Sequence, residues 1–399
     1  MSPPHAVIAG AGIGGLCTAI CLARRGWRIS LYEQAKFLEE VGAGLQLSPN
    51  ASSILRELGI IDHLARFAIC PKAIIIRRAR DGATLARMPL EGAEQRWSAP
   101  YLVVHRADLQ RVLLDAAART SAISLTTDAA VNGIEPGENS VSVVIRRGAV
   151  SLKEGSDCLI GADGVRSFVR QSLGLGSARF SRKTAWRALL EAVCVPAAMR
   201  RLETTLWVGG GAHLVHYPLR GGAVINVVAI VDENFYSGEE SFWSSLGDPR
   251  FLEARFENWD GAARELLRAA PEWRKWPLFD CRPIANWVSG RVALMGDAAH
   301  AMLPFLAQGA AQAIEDAAAL SAALDQGKDI ESGLLSYQAM RHARATRVQR
   351  ESRRQAAIYH LAGPAAFLRD VTLRALSGPK MLARYDWLYG AGNATRRDT

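Results

Sequence analysis

The first thirty-three residues leave little choice of fold. The apolar run HAVIAG leads into glycines at Gly10, Gly12, Gly14 and Gly15, then into Leu16, Ile20 and Ala23 at helical spacing, before a second run, RISLYE, ends in Glu33. Strand, glycine turn, helix and strand make a βαβ unit. The GxGxxG pattern of Gly10, Gly12 and Gly15 lets a pyrophosphate approach the helix N-terminus, where unpaired amides and the helix dipole favour anions. Glu33 follows Gly15 by eighteen residues, a position from which a carboxylate accepts hydrogen bonds from ribose hydroxyls. An acid there suits FAD or NAD rather than NADP.

Length and charge bound the remainder. The 399 residues, 49% hydrophobic and 22% charged, suffice for two or three domains and exclude a disordered or collagen-like chain. The 48 Lys+Arg against 39 Asp+Glu give +9, which suits nucleic acid, a membrane surface or anionic small molecules. No apolar run reaches the ~20 residues of a membrane span, and an apolar strand beginning by Ala6 leaves no room for a secretion signal, so a cytoplasmic protein is expected. The six cysteines form no CxxC pair and have no histidines at zinc-finger spacing. They predict reduced thiols and no metal site, with Cys17 and Cys21 on one helix face in the core.

Pattern shifts divide the chain. Helices are expected over residues 50–67 and 106–120, and strands at Ala73 to Arg78 and Val141 to Arg147. From about 180 to 281, Trp186, Trp207, Trp243, Trp259, Trp273 and Trp276 crowd strand-like runs at 205–208, 213–217 and 223–231. RVALMG then reads as a buried parallel strand before the helical pattern from Gln308 to Leu324. The expected fold is α/β: an interrupted Rossmann-like FAD-binding domain at 1–175 and 282–335, a sheet-based substrate domain at 176–281 that about 70–104 is a candidate to join, and a C-terminal helical region at 336–399. In that region Arg341, Arg344, Arg347, Arg350 and Arg353 recur every third residue, which reads as a solvated or packed helix face, with a nucleic-acid site as the alternative. The small and charged residues 393–399 predict a disordered end.

Two further turns place an acid after a strand. They are Gly161-Ala162-Asp163-Gly164 and Gly296-Asp297, where an Asp either bonds ribityl or ribose hydroxyls or closes an ordinary Asx turn. The second opens into GDAAHAMLPFLAQGAAQAIEDA, a helix whose N-terminus beside a flavin ring would stabilise negative charge on the reduced ring.

With these motifs in order, the chain resembles the single-component aromatic-ring flavoprotein hydroxylases, which include salicylate, 3-hydroxybenzoate and 6-hydroxynicotinate hydroxylases. The resemblance rests on the glycine fingerprint, GAGLQLSPNA from Gly42 to Ala51, HRADL from His105, GADGVRSFVR from Gly161, the GD segment at Gly296 and YDWLYG from Tyr385. It implies that Glu33 and Gln34 contact the adenosine half of FAD, Val131 lies near the adenine, and Arg106 and Gly44 belong to the cofactor site. It further implies that Asp163 supports FAD and nicotinamide binding, Asp297 holds the ribityl chain, and Pro304, Gly309 and Ala310 pass beside the isoalloxazine. The activity implied is an FAD-dependent monooxygenase in which NAD(P)H binds transiently and O2 forms a flavin hydroperoxide. Its substrate would be a hydroxylated aromatic carboxylic acid, hydroxylated with or without decarboxylation, and a homodimer is implied.

A phenolate is more electron-rich than a phenol, so such a reaction gains from a base at the ring hydroxyl. In HLVHYPLR, His213 and Tyr217 fall on one face of a strand and are the expected catalytic pair, the alternative being a strand that fills its core with rings. Gln46, Pro304 and Phe305 complete the expected substrate pocket. Gln46 stands where the hydroxynicotinate branch carries histidine, Phe305 where the salicylate and hydroxynicotinate branches do, and His300-Ala301 resembles salicylate hydroxylases; the balance favours a salicylate-like or hydroxybenzoate-like acid. Alternatives are an N-heterocyclic, urate-like or polyene substrate on the same fold, or a basic nucleic-acid-binding protein, which explains the charge but none of the glycine and aspartate motifs.

Overall fold

The computed structural model describes residues 2–38, 43–234 and 245–390; Gly42, Trp243 and residues 393–399 lie outside the described residues. His5–Ala9 is apolar on both faces because it is a central strand, flanked by Cys158–Gly161 and Arg28–Tyr32. The six-stranded sheet runs Val288–Ser289, Val292–Leu294, Cys158–Gly161, His5–Ala9, Arg28–Tyr32 and Ile123–Thr126. It is parallel except at the Val288–Ser289 edge. Neighbours in this sheet come from residues up to 294, so it is completed only after the chain has built a second sheet and returned.

The fingerprint turn joins His5–Ala9 to the helix Ile13–Ala23, which holds Cys17 and Cys21 in the core. Gly10 has φ +100°, and a Cβ on Gly15 would lie 1.9 Å from the Gly10 carbonyl oxygen. Both positions therefore require glycine for the helix to close against its strand.

The second sheet has eight strands in the order Ser245–Leu246, Arg274–Asp280, Arg179–Glu191, Val224–Asp232, Ala212–Leu219, Thr204–Gly209, Ala73–Arg78 and Thr84–Pro89. The last two strands come from outside 176–281, and Ala73–Arg78 pairs in parallel with Thr204–Gly209. Alternation sorts its faces: Leu214, Val227, Ala229 and Trp207 pack outward with Leu252, Phe256 and Leu266 of the helices Pro249–Arg255 and Gly261–Arg268. His213, Val215, Tyr217, Val228 and Ile230 take the other face. One local expectation is corrected, and one strand is found where expected. The helix over 50–67 is two helices, Pro49–Glu57 and Ile61–Leu64, because Gly59 breaks it at φ +65°, and Val141–Arg147 belongs to a separate three-stranded antiparallel sheet with Ala130–Pro136 and Val150–Ser156.

The helices Gly309–Gln326 and Ile330–Tyr359 are joined through buried charge. Asp316 accepts from Arg341 Nε at 2.7 Å, His300 Nε2 at 2.6 Å and the Gly296 amide at 2.9 Å. Glu315 accepts from Arg341, from Arg344 Nε at 2.6 Å and from Asn50 Nδ2 at 2.5 Å. Arg344 also reaches the carbonyls of Trp387 and Leu388, both at 2.8 Å, which ties YDWLYG to the core. A three-residue spacing drifts by about 60° per step on a helix, so the five arginines spiral rather than share a face. Arg347 accordingly stacks on Trp387 at 3.7 Å while Arg353 bonds Asp280 at 2.5 Å. Among the described residues no helix is long and apolar enough to cross a membrane.

Asp316→Asn removes the charge opposite buried Arg341 and is expected to cost about 3–5 kcal/mol of stability, read by urea unfolding. Burial alone would raise the Asp316 carboxyl, but His300 and Arg341 outweigh it and hold its pKa below the ordinary carboxylate value. Its contribution is therefore full at neutral pH and falls once an unfolded Asp begins to protonate, below about pH 4, so the gap between wild type and variant should narrow on acidification.

Candidate active site

A cavity of about 420 Å³ lies between the parallel sheet and the inner face of the eight-stranded sheet. One end is walled by Gly12 and Gly14. A Cβ on Gly12 would meet nothing within 4 Å, which leaves the space before the turn open as a diphosphate requires, whereas Gly14 is closed in by Ala313 and Met295 at 3.1 and 3.2 Å. Behind the turn, Glu33 accepts from the amides of Ala11 at 2.8 Å and Ala35 at 2.9 Å. Each carboxylate oxygen keeps a lone pair for a ribose hydroxyl.

Besides Gly10, Gly15 and Glu33, which lie within or behind the turn, the expected cofactor residues Val131, Gln34 and Asp163 do not line this cavity. Val131 lies on Ala130–Pro136 opposite Ile145 and is buried in the main core, since the strand's alternation turns it inward. Gln34 follows Glu33 at the strand's end, beyond the cavity wall. Asp163 turns toward its own helix and accepts from the Val169 amide at 3.0 Å; Oδ1 is buried with no partner among the described residues, and burial raises the carboxyl pKa. Its neighbours Ala162 and Gly164 face the cavity instead.

Deeper in, Arg106, Asp297, Gly309 and Ala310 line the wall. Asp108, the simplest ion-pair partner for Arg106, is taken by Arg220 at 3.0 and 3.1 Å, and Arg106 has no ion pair among the described residues. Asp297 makes no protein hydrogen bond among the described residues, and burial pushes its carboxyl up against the opposing pull of His300 and Arg106. Gly309 starts an eighteen-residue helix, so its unpaired amides face the same space. An open diphosphate cradle, an unpartnered Asp and a helix N-terminus fit the phosphates, ribityl chain and ring of FAD.

The far end is aromatic. His213 and Tyr217 project into the cavity from one strand, with Gly44, Gln46 and Pro304 opposite. The Tyr217 ring fills the space a Cβ on Gly44 would need, at 2.5 Å, so Gly44 is what admits this side chain. Burial raises the Tyr217 phenol above its ordinary value and keeps it protonated, a donor. The same burial, with His360 and Lys183 nearby, lowers the His213 pKa well below 6.5 and keeps its ring neutral, an acceptor. Gln46 accepts from the Tyr101 hydroxyl at 2.7 Å, and Phe305 packs on His213 with ring centroids 4.9 Å apart. Behind Phe305 an adjoining cavity of about 90 Å³ is lined by Tyr359, Tyr385 and Tyr389.

Sequence reasoning missed Arg187. It lies on Arg179–Glu191 in register with Val228 and hence with Val215, so it shares the inner face with His213 and Tyr217. Its guanidinium stacks on Trp276 at 5.0 Å, its buried Nε has no partner among the described residues, and burial beside Arg106 pushes its pKa down to about 10, which leaves it charged at neutral pH. The available signal was a lone arginine in the otherwise apolar run AWRALL.

Fold and site together define a flavin-binding oxidoreductase. A family model described as FAD binding domain matches residues 5–352. The chain is 35% identical over 397 residues to 3-hydroxybenzoate 6-hydroxylase of Polaromonas naphthalenivorans (strain CJ2), covering 98% of each protein. It is 36% identical to 3-amino-4-hydroxybenzoate 2-monooxygenase PtnB3 of Streptomyces platensis, covering 97% of this chain and 96% of that one. Among solved structures, Klebsiella pneumoniae HpxO complexed with FAD and uric acid superposes with a TM-score of 0.86 at 25% identity, over 98% of this chain and 97% of that one. The chain belongs to this FAD-binding family and is an FAD-dependent aromatic-ring monooxygenase. FAD is its cofactor, with NAD(P)H as the electron donor typical of the family.

Gly12→Val places a branched side chain in space that no protein atom fills. The variant is expected to fold, with an unchanged circular dichroism spectrum, and to emerge from gel filtration without flavin fluorescence.

Proposed function

We propose that the enzyme hydroxylates a benzoate carrying a ring hydroxyl, in the manner of 3-hydroxybenzoate or salicylate, with the ring held against the strand that bears His213 and Tyr217. The observation that carries this reading is the placement of a neutral histidine and a protonated tyrosine on one strand face, in the cavity that also holds the glycine fingerprint and Asp297. When bound, FAD supplies the electrons taken from NAD(P)H and the activation of O2.

The protein's own part is to bind, ionise and enclose the ring. His213 Nε2 takes the phenolic proton, and the Tyr217 hydroxyl donates to the resulting phenolate, which raises electron density on the ring where oxygen is transferred. Arg187 holds the carboxylate; a cation with a buried Nε and no ion-pair partner among the described residues gains most from an anionic ligand. Pro304, Phe305 and the tyrosines behind them exclude water. Arg106 and Asp297 take the pyrophosphate side and the ribityl chain, while Glu33 takes the adenosine ribose. Gln34, Val131 and Asp163 enter this reading only through backbone atoms or the unpartnered Asp163 Oδ1. The two stretches of the parallel sheet form the FAD-binding unit and the eight-stranded sheet the substrate unit, in a cytoplasmic homodimer. A urate-like ring is the second reading, favoured by the likeness to HpxO with uric acid and equally served by Arg187.

The test is NAD(P)H oxidation, flavin bleaching and O2 uptake with a panel of 3-hydroxybenzoate, salicylate, 6-hydroxynicotinate and urate, with products identified by mass. Fast reduction with one hydroxybenzoate and one added oxygen is expected; stimulation by urate alone would replace the benzoate reading. Arg187→Gln should raise KM for the carboxylate substrate about 10- to 100-fold, the loss of one charge-assisted hydrogen bond, with a smaller change in kcat. Tyr217→Phe should lower kcat with FAD still bound.

A further inference from the structure

We propose that His213, His360 and Asp232 form a proton-transfer chain linking the aromatic end of the cavity to the protein surface. The inference rests on the reading of His213 as the base for the substrate hydroxyl. His213 Nδ1 lies 2.8 Å from His360 Nε2, and His360 Nδ1 lies 2.7 Å from Asp232 Oδ1. The three residues come from three elements: His213 from Ala212–Leu219, Asp232 from the end of Val224–Asp232, and His360 from the C-terminal cap of Ile330–Tyr359. Asp232 lies two residues beyond Ile230, the register partner of His213, so strand alternation puts it on the same face.

Burial runs in one direction along the chain. His213 is 2% exposed, the His360 side chain 4%, and the Asp232 side chain 42%. Proton positions follow from the far end inward. An ionised Asp232 can only accept, so neutral His360 carries its hydrogen on Nδ1 and presents a lone pair at Nε2. That lone pair accepts Nδ1–H of His213, which leaves the lone pair of His213 at Nε2, and this nitrogen has no protein partner among the described residues. The surface carboxylate thereby sets the inner histidine in the tautomer a phenol requires.

The groups around the chain pull in both directions: burial, Lys183 and Arg255 lower the His360 pKa, and Asp232 raises it. Burial raises Asp232, but hydrogen bonds from His360 and Lys183 outweigh it and hold its carboxyl at about 2. Lys183 ion-pairs with Asp232 and lies 3.5 Å from His360 Nδ1, Arg255 acts on His360 from Pro249–Arg255, and Tyr359 and Phe305 pack on the His213 ring. The terminal carbonyls of the thirty-residue helix ending at Tyr359 favour positive charge on His360 in transit.

The transfer balances. As the substrate O–H breaks, N–H forms at His213 Nε2; the Nδ1 proton of His213 passes to His360 Nε2, and that on His360 Nδ1 passes to Asp232 or water beside it. The phenolate negative charge stays in the cavity. When the hydroxylated product regains its phenolic proton, the same hops run inward and restore both tautomers.

The test mixes FAD-loaded enzyme with 3-hydroxybenzoate, without NAD(P)H, in weak buffer containing a pH indicator. Wild type should release a proton in step with the ultraviolet band of the bound phenolate. In His360→Gln the amide oxygen still accepts from His213 but cannot pass a proton on, so release should slow by at least about tenfold while substrate Kd stays within about threefold. Asp232→Asn, at a half-exposed position, should slow release similarly and carries the same test if His360→Gln does not fold. Hydroxylation by wild type, with proton release equally fast in both variants, would overturn the relay alone. No response to any phenolic acid would overturn the substrate reading, and the relay with it.

Discussion

Asp316 is bonded at once to the amide of Gly296, the imidazole of His300 and the guanidinium of Arg341, and all of these are buried. The turn that presents Asp297, the helix that presents Gly309 and the long helix that ends at His360 are therefore fixed to one carboxylate. Its neighbour Glu315 extends the same network through Arg344 to Trp387 and Leu388, and so to the tyrosines behind Phe305. Ion pairs this deep rarely add net stability over an apolar core, because desolvation offsets attraction. What they add is geometry: a charge left unpaired is so costly that the helices have only one acceptable register.

A second constraint, the two-residue period of the strand, decides what faces the substrate. Along Ala212–Leu219 it sends Leu214 and His216 into the tryptophan-rich layer and His213, Val215 and Tyr217 into the cavity. The two histidines of HLVHYPLR thus lead opposite lives. His216 approaches the Trp207 indole, 3.4 Å from its Nε1, and burial depresses its pKa to about 3, a packed core ring. Three residues away, His213 faces the cavity, its Nδ1 held by His360.

Those differences explain what could be read from the chain. The fingerprint was legible because Gly10 and Gly15 answer local demands, a positive φ and a contact with a carbonyl five residues away, both of which leave their mark within one turn. The face of His213 and Tyr217 was legible for the same reason, period two being a local rule. Arg187 was not, because a charge in a strand usually marks a solvent face, and only the packing of three strands shows that its face is enclosed. The inward turn of the Val131 side chain was not legible from the resemblance, which speaks to its position and not to the alternation of its strand. The partners of the arginine spiral were hidden for a further reason: a spacing of three says nothing about which arginine meets Glu315, and that carboxylate lies 26 residues before Arg341.

The cavity combines two requirements that oppose each other elsewhere in a protein. It must hold anions, and Arg187, Arg106 and the N-terminus at Gly309 supply positive potential, with Asp297 the one carboxylate lining the cavity among the described residues. It must also accept a proton, which burial and positive potential discourage, since desolvation, His360 and Lys183 all lower the His213 pKa. Leading the proton away reconciles the two. A phenolate left among the cations is stabilised by the same field that would repel a retained proton, so the field of the anion site drives ionisation provided the proton has a path out. His360 and Asp232 supply such a path, from buried His213 to a half-exposed carboxylate held ionised by His360 and Lys183.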